Sequence, residues 1–252
     1  MLLALDIGNT NVTVGAFVGS RLKRMWRLET HPHKSAEAYG ALLMGFLGQS
    51  APAVEGVAIG SVVPALTPVF QAASRRTFGH QALVVDHRLK LGIQFKVDRP
   101  AEVGADRIAN ALAAFKLYGA PAIVLDFGTA TTFDCISGKG YYLGGAILVG
   151  PRLAAEALAE KTAKLPKVEF AQPRRAIGKN TVECIQAGLY FGYLGMVDRV
   201  LEETLKEMEP NPRILVTGGF GEVFGPLIGR KNVRVPDLTL QGLRLAYETQ
   251  GR

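Results

Sequence analysis

The chain has 252 residues, 48% of them hydrophobic and 20% charged, which is typical of a folded protein with one large or two medium cores. The net charge of +7 allows binding of nucleic acid or of small anions such as phosphates. Because the basic residues are spread along the chain, we interpret them as solvated surface and expect no nucleic-acid partner. The two cysteines, Cys135 and Cys184, are too few for a disulfide framework and form no metal-ligand spacing with the four histidines, so a reduced cytoplasm is the expected compartment.

Two apolar segments do not qualify as targeting or membrane segments. Leu2–Leu5 is shorter than the apolar part of a signal peptide and has no basic segment before it. The longest uncharged stretch, residues 56–74, is interrupted by Pro64 and Pro68. The sequence therefore predicts neither secretion nor a membrane span.

Two stretches of the chain are alike, MLLALDIGNTNVTVGAF at the start and AIVLDFGTATTFDCI about 120 residues later. In the first, Leu2–Leu5 predicts a buried strand, Asp6–Asn11 a turn, and the alternating apolar residues after it a second strand. In the second, Ala122–Leu125 and Phe133–Ile136 predict strands on either side of the turn Asp126–Thr131. A repeat of this length suits two related α/β domains that face each other across a cleft.

Each predicted turn combines an aspartate, a glycine and threonines, a set of residues suited to phosphate. Glycine lets the backbone approach a ligand, while N–H groups and threonine hydroxyls donate to phosphate oxygens. Asp6 can also hold a hydrated Mg²⁺ that rides on the phosphates. The alternative is that Asp6 and Asp126 only form Asx-turns, an interpretation weakened by the repetition. No Walker A motif and no G-x-G-x-x-G after a strand is present.

The stretch RPAEVGADRIANALAAFKLYG has apolar residues at helical spacing and predicts a helix that ends at Gly119 and Pro121. Asp106 and Arg107 are then in its first turn or at its cap, where a helix N-terminus favours the ionised carboxylate. From this stretch alone, a plain N-cap without chemistry is the favoured interpretation of Asp106, worth about 1 kcal/mol. The domain boundary is predicted near residues 118–121.

A long helix is predicted from Thr181 to about Met208, because Asn180 and Glu183 form a capping-box pattern before it. Further on, Thr217–Gly221 predicts a flexible turn that suits backbone approach to a nucleotide base or ribose, although glycine pairs also make simple turns. The last predicted helix, Leu238–Glu248, is compatible with packing on either half of the chain.

Taken together, DIGNTN, EVGADR and DFGTATTFD resemble the type III pantothenate kinases of the actin, Hsp70 and sugar-kinase fold superfamily, and GGAI, TAKLP, IGKNT and TGGF extend the resemblance over nearly the whole chain. It implies two similar actin-like (ribonuclease H-like) α/β domains facing across a nucleotide cleft, here residues 1–118 and 119–252. It also implies ATP-dependent phosphorylation of pantothenate, the first step toward coenzyme A, by a cytoplasmic homodimer that uses Mg²⁺ and a monovalent cation, K⁺ or NH₄⁺.

The resemblance also implies roles for individual residues. Asp6 would lie near Mg²⁺, Asp126 would hold the monovalent cation, and Asp106 would be the base that accepts the hydroxyl proton. Pantothenate would contact Gly104, Ala105, Asp106, Arg107 and Thr181. The implied ATP-binding residues are Asp6, Ile7, Gly8, Asn9, Thr10, Asn11, Val12, Thr13 and Thr129.

Two positions depart from the pattern of the resembled family. Val97 stands where many members have a tyrosine that contacts substrate, and Val149 stands where a proline usually follows GGAI. Val97 keeps a second hypothesis open, a related kinase that acts on another small alcohol. A third hypothesis, a regulatory protein without activity, is disfavoured because Asp6, Asp106 and Asp126 are all present.

The helix after Thr181 carries Gly188, Gly192 and Gly195, a strip of small residues where another helix can come close. Packing inside one chain and packing between two chains are equally compatible with this strip. The resemblance favours a dimer interface, which would bring Thr181 to the active site of the partner.

Overall fold

The computed structural model describes residues 1–48 and 53–251 of the chain. It divides into two compact units. The first comprises Met1–Tyr118, Gly140–Tyr142 and Asp237–Arg252, and the second comprises Gly119–Lys139 and Leu143–Pro236.

The described secondary structure alternates between strands and helices. The strands are β1 Leu2–Ile7, β2 Asn11–Val18, β3 Arg21–Glu29, β4 Gly56–Ser61, β5 Leu83–Val84, β6 Gln94–Phe95, β7 Ala122–Phe127, β8 Ala130–Ile136, β9 Tyr141–Val149, β10 Arg213–Thr217 and β11 Val233–Arg234. The helices are α1 Ala36–Leu47, α2 Thr67–Phe78, α3 Ala105–Ala113, α4 Pro151–Lys161, α5 Thr181–Glu207, α6 Gly221–Phe224 and α7 Leu238–Thr249.

The first unit is built on a five-stranded sheet with the order β3-β2-β1-β4-β5. Strand β1 is antiparallel to β2 and parallel to β4. Alternate residues of these strands, such as Leu5, Val14 and Ile59, enter a hydrophobic core that includes Tyr39 of α1 and Phe70 of α2. The other face of the sheet is covered by α3 and α7, so the sheet is a layer between two pairs of helices.

Helix α7 packs on α3, on β1 and on β4, all in the first unit. A Cβ at residue 242 would lie 2.0 Å from the Ala109 backbone oxygen, so glycine lets α7 and α3 meet backbone to backbone. The position of this helix was open in the sequence, and the compact units place it with residues 1–118 rather than with the rest of the predicted domain 119–252. The division into domains 1–118 and 119–252 stays a prediction.

The second unit contains strands in the order β11-β10-β7-β8-β9. Its core lies between this sheet and α5, where Phe127 stacks on Phe224 and meets Tyr193 edge-on, and Phe170 contacts Tyr193 and Phe224. The first two residues of β9, Tyr141 and Tyr142, belong to the first unit, where they pair in parallel with β6.

The two predicted hairpins are present, but their strands are longer than predicted. Asp6 is the penultimate residue of β1 and Asp126 the penultimate residue of β7, so neither aspartate lies in the turn itself. Each aspartate is paired with a threonine on the returning strand, Asp6 with Thr13 and Asp126 with Thr132. The sequence repeat therefore corresponds to a repeat of structure.

The capping box of α5 is confirmed, since the Glu183 backbone N–H donates to Asn180 Oδ1 at 2.9 Å while the Glu183 carboxylate accepts from the Lys179 backbone N–H at 2.9 Å. Residues 56–74, the longest uncharged stretch, form β4 and the beginning of α2. Within the described ranges, none of the helices has the length and apolar character needed to cross a membrane.

Candidate active site

The turn of the first hairpin is fixed by backbone hydrogen bonds and by the residue that follows β3. The Gly8 N–H donates to the Asn11 oxygen at 3.0 Å, which closes the turn. Thr30 secures it from outside, because its hydroxyl donates to the Gly8 oxygen at 2.6 Å and its N–H donates to the Thr10 oxygen at 3.0 Å. This leaves a braced turn directly after the half-buried Asp6.

Asp106 is the second residue of α3, and Gly104 is the N-cap, without a side-chain hydrogen bond to the helix end. Asp106 Oδ1 accepts from the Arg107 backbone N–H at 2.8 Å. A Cβ at residue 104 would lie 2.5 Å from that Oδ1, so the glycine makes room for the carboxylate. The plain N-cap interpretation of Asp106 is therefore wrong, because the cap position belongs to Gly104.

The electrostatic expectation for Asp106 is corrected as well. Burial raises the pKa of its carboxyl above the ordinary aspartate value, and the Arg107 N–H and the Arg107 charge lower the pKa by less. The helix N-terminus and the adjacent Arg107 were expected to favour ionisation. The net result is a carboxylate that holds a proton more readily than an exposed aspartate.

Asp6 and the start of α3 lie at the same edge of the sheet of the first unit. In the parallel pair β1 and β4, Asp6 is in register with Gly60. A Cβ at residue 60 would lie 2.8 Å from Leu243 of α7 and 3.7 Å from the Ala105 Cβ, so α3 begins close to Gly60. The carboxyl ends of parallel strands are the usual ligand-binding edge of an α/β sheet, and here that edge carries Asp6 and, one residue beyond Ala105, Asp106.

Arg107 is held by a residue that sequence reasoning missed. Its guanidinium carbon lies 5.8 Å from the ring centroid of Tyr142, a cation–π contact within the first unit. Tyr142 is fully buried and meets Phe95 edge-on, with ring centroids 5.8 Å apart. This contact depends on the pairing of β6 with β9, residues nearly 50 positions apart, and no local signal in the sequence points to it.

Asp126 occupies the corresponding place in the second unit, at the end of β7. The turn that follows β10 approaches it closely, since a Cβ at residue 218 would lie 2.5 Å from Asp126 Oδ1. Beneath it, the hydroxyls of Thr131 and Tyr193 share a short hydrogen bond. Burial is the main cause that raises the pKa of Tyr193, and the negative charge of Asp126 raises this pKa further.

Thr129 lies in the turn of the second hairpin, which is closed by the Gly128 N–H donating to the Ala130 oxygen at 3.1 Å. Helix α4 begins against this turn, because a Cβ at its N-cap, Gly150, would lie 2.1 Å from the Thr129 oxygen. A helix N-terminus beside a glycine turn is an anion-binding arrangement. Helix α4 was not predicted to be part of the site, although Gly150-Pro151 is a helix-start signal.

Three further positions singled out in the sequence are now located. Thr181 is the first residue of α5 and is exposed. Val97 is half-buried, two residues after β6, and Val149 is the exposed last residue of β9. Among the predicted site residues, the first unit thus joins the Asp6 hairpin with Gly104–Arg107, and the second joins Asp126 with the Thr129 turn.

Across residues 1–48 and 53–251, no group of three or more His, Cys, Asp or Glu side chains is arranged to hold a metal ion. A magnesium ion that arrives with a nucleotide does not require such a group, because it keeps several waters and takes only one or two carboxylates from the protein. Asp6, with the hydroxyl of Thr13 paired beside it, supplies a donor set of that kind.

Comparison with known proteins identifies the family of the chain. Residues 2–203 match the family model described as type III pantothenate kinase. The type III pantothenate kinase of Moorella thermoacetica is 46% identical over 98% of this chain and 99% of its own length. The type III pantothenate kinase of Solibacter usitatus is 43% identical over 98% of this chain and 96% of its own length.

Solved structures are similar in fold at low sequence identity. The inorganic polyphosphate/ATP-glucomannokinase of Arthrobacter sp. strain KM has a TM-score of 0.55 at 16% identity, over 99% of this chain and 98% of that chain. The ROK hexokinase of Thermus thermophilus has a TM-score of 0.50 at 16% identity, over 100% of this chain and 99% of that chain. The mixed α/β fold with two sheets is thus the sugar-kinase fold that the sequence resemblance implied.

Proposed function

The chain belongs to the type III pantothenate kinase family and phosphorylates pantothenate with ATP in coenzyme A synthesis, and we propose that Asp106 is the general base of this reaction. The observation that carries the proposal is the place of Asp106, on the first turn of α3, at the sheet edge that also carries Asp6. Its raised pKa supports the same role, because a more basic carboxylate accepts a proton more readily.

In the proposed mechanism, the primary alcohol of pantothenate donates a hydrogen bond to the Asp106 carboxylate. Its oxygen attacks the γ-phosphorus of ATP, the bond to the β-phosphate oxygen breaks, and the alcohol proton passes to Asp106 as ADP leaves. Gly104 and Ala105, at the start of α3, are proposed to contact pantothenate beside the carboxylate. Arg107, oriented over Tyr142, is placed to bind either the pantothenate carboxylate or a phosphate.

The phosphates of ATP are assigned to the two hairpin turns. Residues 6–13 offer the braced turn of the first unit, and Thr129 with the N-terminus of α4 offers the second. ATP in this family works with a divalent metal, which we propose to be Mg²⁺ near Asp6. When bound, Mg²⁺ neutralises part of the charge on the phosphates.

Asp126 is proposed as the ligand of the monovalent cation, K⁺ or NH₄⁺. The support is its carboxylate at the end of β7, approached by the backbone of Gly218. Carboxylate and carbonyl oxygens are the donors that such a cation takes. Asp126 also adds to the negative potential around Tyr193, which a bound cation would offset.

A homodimer completes the proposal. Gly188, Gly192 and Gly195 of α5 each have no heavy atom of the described residues within 4 Å of their Cβ positions, outside the neighbours along the helix itself. This open strip supports helix contact between two chains, which would bring Thr181 into a shared site. The cytoplasm is the proposed compartment, supported by Cys135 and Cys184, which form no disulfide, and no nucleic-acid partner is proposed.

Replacement of Asp106 by asparagine tests the base. Asparagine keeps the size of the side chain and can accept the Arg107 N–H, but it cannot take the alcohol proton. We expect kcat to fall by about 10²- to 10⁴-fold while ATP affinity stays within a few-fold. A folded Asp106→Asn with near-normal kcat would refute the assignment, and the matched control is Asp98→Asn, an exposed aspartate that precedes α3.

A further inference from the structure

A row of four residues crosses the sheet of the first unit at its ligand-binding edge. Asp6 of β1 is in register with Gly60 of β4 on one side and with Thr13 of β2 on the other. Thr13 is in turn in register with Arg27 of β3. Residues directly opposite one another on paired strands point to the same face, so Gly60, Asp6, Thr13 and Arg27 share one face.

That face is the one on which α3 begins. Neighbours along the strands, such as Val12 and Val14 of β2, enter the core beneath α1 and α2, so the row points to the opposite side of the sheet. There Leu243 of α7 and Ala105 cover Gly60, while the Gly15 Cβ position, further down β2, meets Leu240 of α7 at 2.9 Å. The part of the row over Asp6 and Thr13 lies between these two packed positions.

Arg27 stands at the far end of this row with an exposed side chain. Among the described residues it forms no ion pair and no side-chain hydrogen bond. Two strand spacings, about 10 Å, separate its backbone from that of Asp6. This interval suits a phosphate group over Thr13 that accepts hydrogen bonds from the Thr13 hydroxyl and the Arg27 guanidinium, because a guanidinium donates to phosphate in a two-pronged geometry.

We propose that Arg27 binds the phosphates of ATP across Thr13 and so positions the triphosphate against the Asp6 hairpin. This inference rests on the proposed phosphate site at residues 6–13. Arg27 also lies three residues before Thr30, the residue after β3 that holds the turn through Gly8 and Thr10. The proposed phosphate contact is therefore close in the chain to the residue that fixes the turn.

A charged side chain on β3 has a competing explanation, since edge strands often carry charges that prevent pairing with other chains. Glu29 is two residues further on the same face, and its carboxylate lies 3.9 Å from His31 Nε2 rather than pairing with Arg27. Edge protection requires only a charge on β3. Phosphate binding requires a guanidinium on the face of Asp6 and Thr13, which makes the two explanations separable.

Arg24 provides a matched control on the same strand. It is exposed like Arg27, but its partner across the sheet is Ala16, a residue of the core beneath α1 and α2, so it lies on the opposite face. Arg27→Gln and Arg24→Gln remove the same charge. Steady-state kinetics with ATP, Mg²⁺ and pantothenate, together with melting temperatures, compare them with the unchanged protein.

For Arg27→Gln we expect the KM for ATP to rise about tenfold, because one charge-assisted contact is lost, while the KM for pantothenate stays within about twofold. The KM for ATP of Arg27→Lys should lie between the values of the unchanged protein and of Arg27→Gln, since an ammonium donates hydrogen bonds without the planar geometry of a guanidinium. Arg24→Gln should keep both KM values within about twofold, and all three variants should melt like the unchanged protein.

An Arg27→Gln protein whose KM for ATP stays within about twofold of normal would overturn the inference, as would an equal rise in Arg24→Gln. Thr13→Val separates this failure from failure of the phosphate site itself. If Thr13→Val weakens ATP binding and Arg27→Gln does not, the site stands and only the role of Arg27 falls. If neither variant changes ATP binding, both the role of Arg27 and the assignment of residues 6–13 to the phosphates are wrong.

Discussion

Gly218 approaches Asp126 so closely that a Cβ at residue 218 would lie 2.5 Å from the carboxylate Oδ1 and 2.6 Å from the Phe127 backbone nitrogen. The approach follows from strand pairing, because Thr217 is in parallel register with Asp126 at the end of β10 and β7. Gly218 also has a φ of +85°, a conformation that favours glycine. The predicted glycine turn is therefore a close neighbour of the predicted cation ligand.

We expect Gly218→Ala to destabilise the protein by about 1–3 kcal/mol. The new Cβ is strained at this positive φ, and it also clashes with the end of β7. It should also weaken the response to K⁺ by displacing Asp126. Denaturant unfolding and a K⁺ titration measure the two effects. The control is Gly45→Ala, an exposed position inside α1 with open space at its Cβ, which should stabilise by about 0.5–1 kcal/mol. Equal behaviour of the two variants would contradict the argument.

Local signals in the sequence predicted the hairpins, the long helix and its capping box, because each depends on residues a few positions apart. Strand ends were less predictable. Asp6 and Asp126 are polar, yet they belong to their strands because each pairs with a threonine on the next strand. Position in the fold was not predictable for α7, whose contact with Ala109 joins segments more than 130 residues apart.

The candidate site divides in the same way. Asp6, Asp106 and Asp126 were found from motifs, while Tyr142 and Arg27 came only from strand register. The raised pKa of Asp106 was also out of reach, since desolvation depends on the side chains that surround the carboxyl and not on its place at a helix start. Strand register and burial are properties of the folded chain. The motifs therefore could not predict Tyr142, Arg27 or the raised pKa of Asp106.

The pH dependence of stability tests the surroundings of Asp106. Folding raises the pKa of its carboxyl, so the folded protein holds this proton more tightly than the unfolded chain. The corresponding stability is present below the ordinary aspartate pKa of 3.8 and is lost as the pH rises through the raised value. Asp106→Asn, which cannot ionise, should therefore melt higher than the unchanged protein at pH 7, with a gap that narrows as the pH falls toward 4.

Calorimetry between pH 4 and pH 8 follows this gap. A constant difference at every pH would mean that the substitution acts through packing or hydrogen bonding alone. Asp98→Asn, at an exposed position before α3, is the control for the loss of one surface charge.

The pH dependence of activity gives a separate prediction for the same residue. If Asp106 is the base, kcat/KM for pantothenate should fall on the acid side with a midpoint above the ordinary aspartate pKa, because protonated Asp106 cannot accept the alcohol proton. The residual activity of Asp106→Asn should lack this acid limb. An acid limb that persists unchanged in the variant would assign the base to another group.

Asp126→Asn tests the cation site. Asparagine keeps one oxygen but loses the negative charge, so we expect the half-saturating K⁺ concentration to rise by about tenfold or more. The melting temperature should change little, since the side chain lies at the end of a strand rather than in the core. An activity titration with K⁺, repeated with NH₄⁺, measures the effect. An unchanged half-saturating concentration in both series would place the cation elsewhere.

The exposed face of α5 combines small and apolar residues. Gly192 leaves open space beside the helix, and Phe191 and Met196 next to it are 46% and 40% exposed. Glycines in a helix lower its stability by about 1 kcal/mol each relative to alanine, a cost that close contact with another helix offsets. A second copy of the chain, packed along this strip, would cover the apolar side chains as well.

Light scattering at micromolar concentration should therefore report a mass near twice the 27.0 kDa of one chain. Gly192→Arg should shift the protein to monomers, because a long charged side chain fills the strip, and activity should fall with the loss of Thr181 from the shared site. Gly45→Arg in α1 is the control, an exposed helix glycine with equally open space that should leave the dimer intact. A fully active monomer of the unchanged chain would contradict both the interface and the shared role of Thr181.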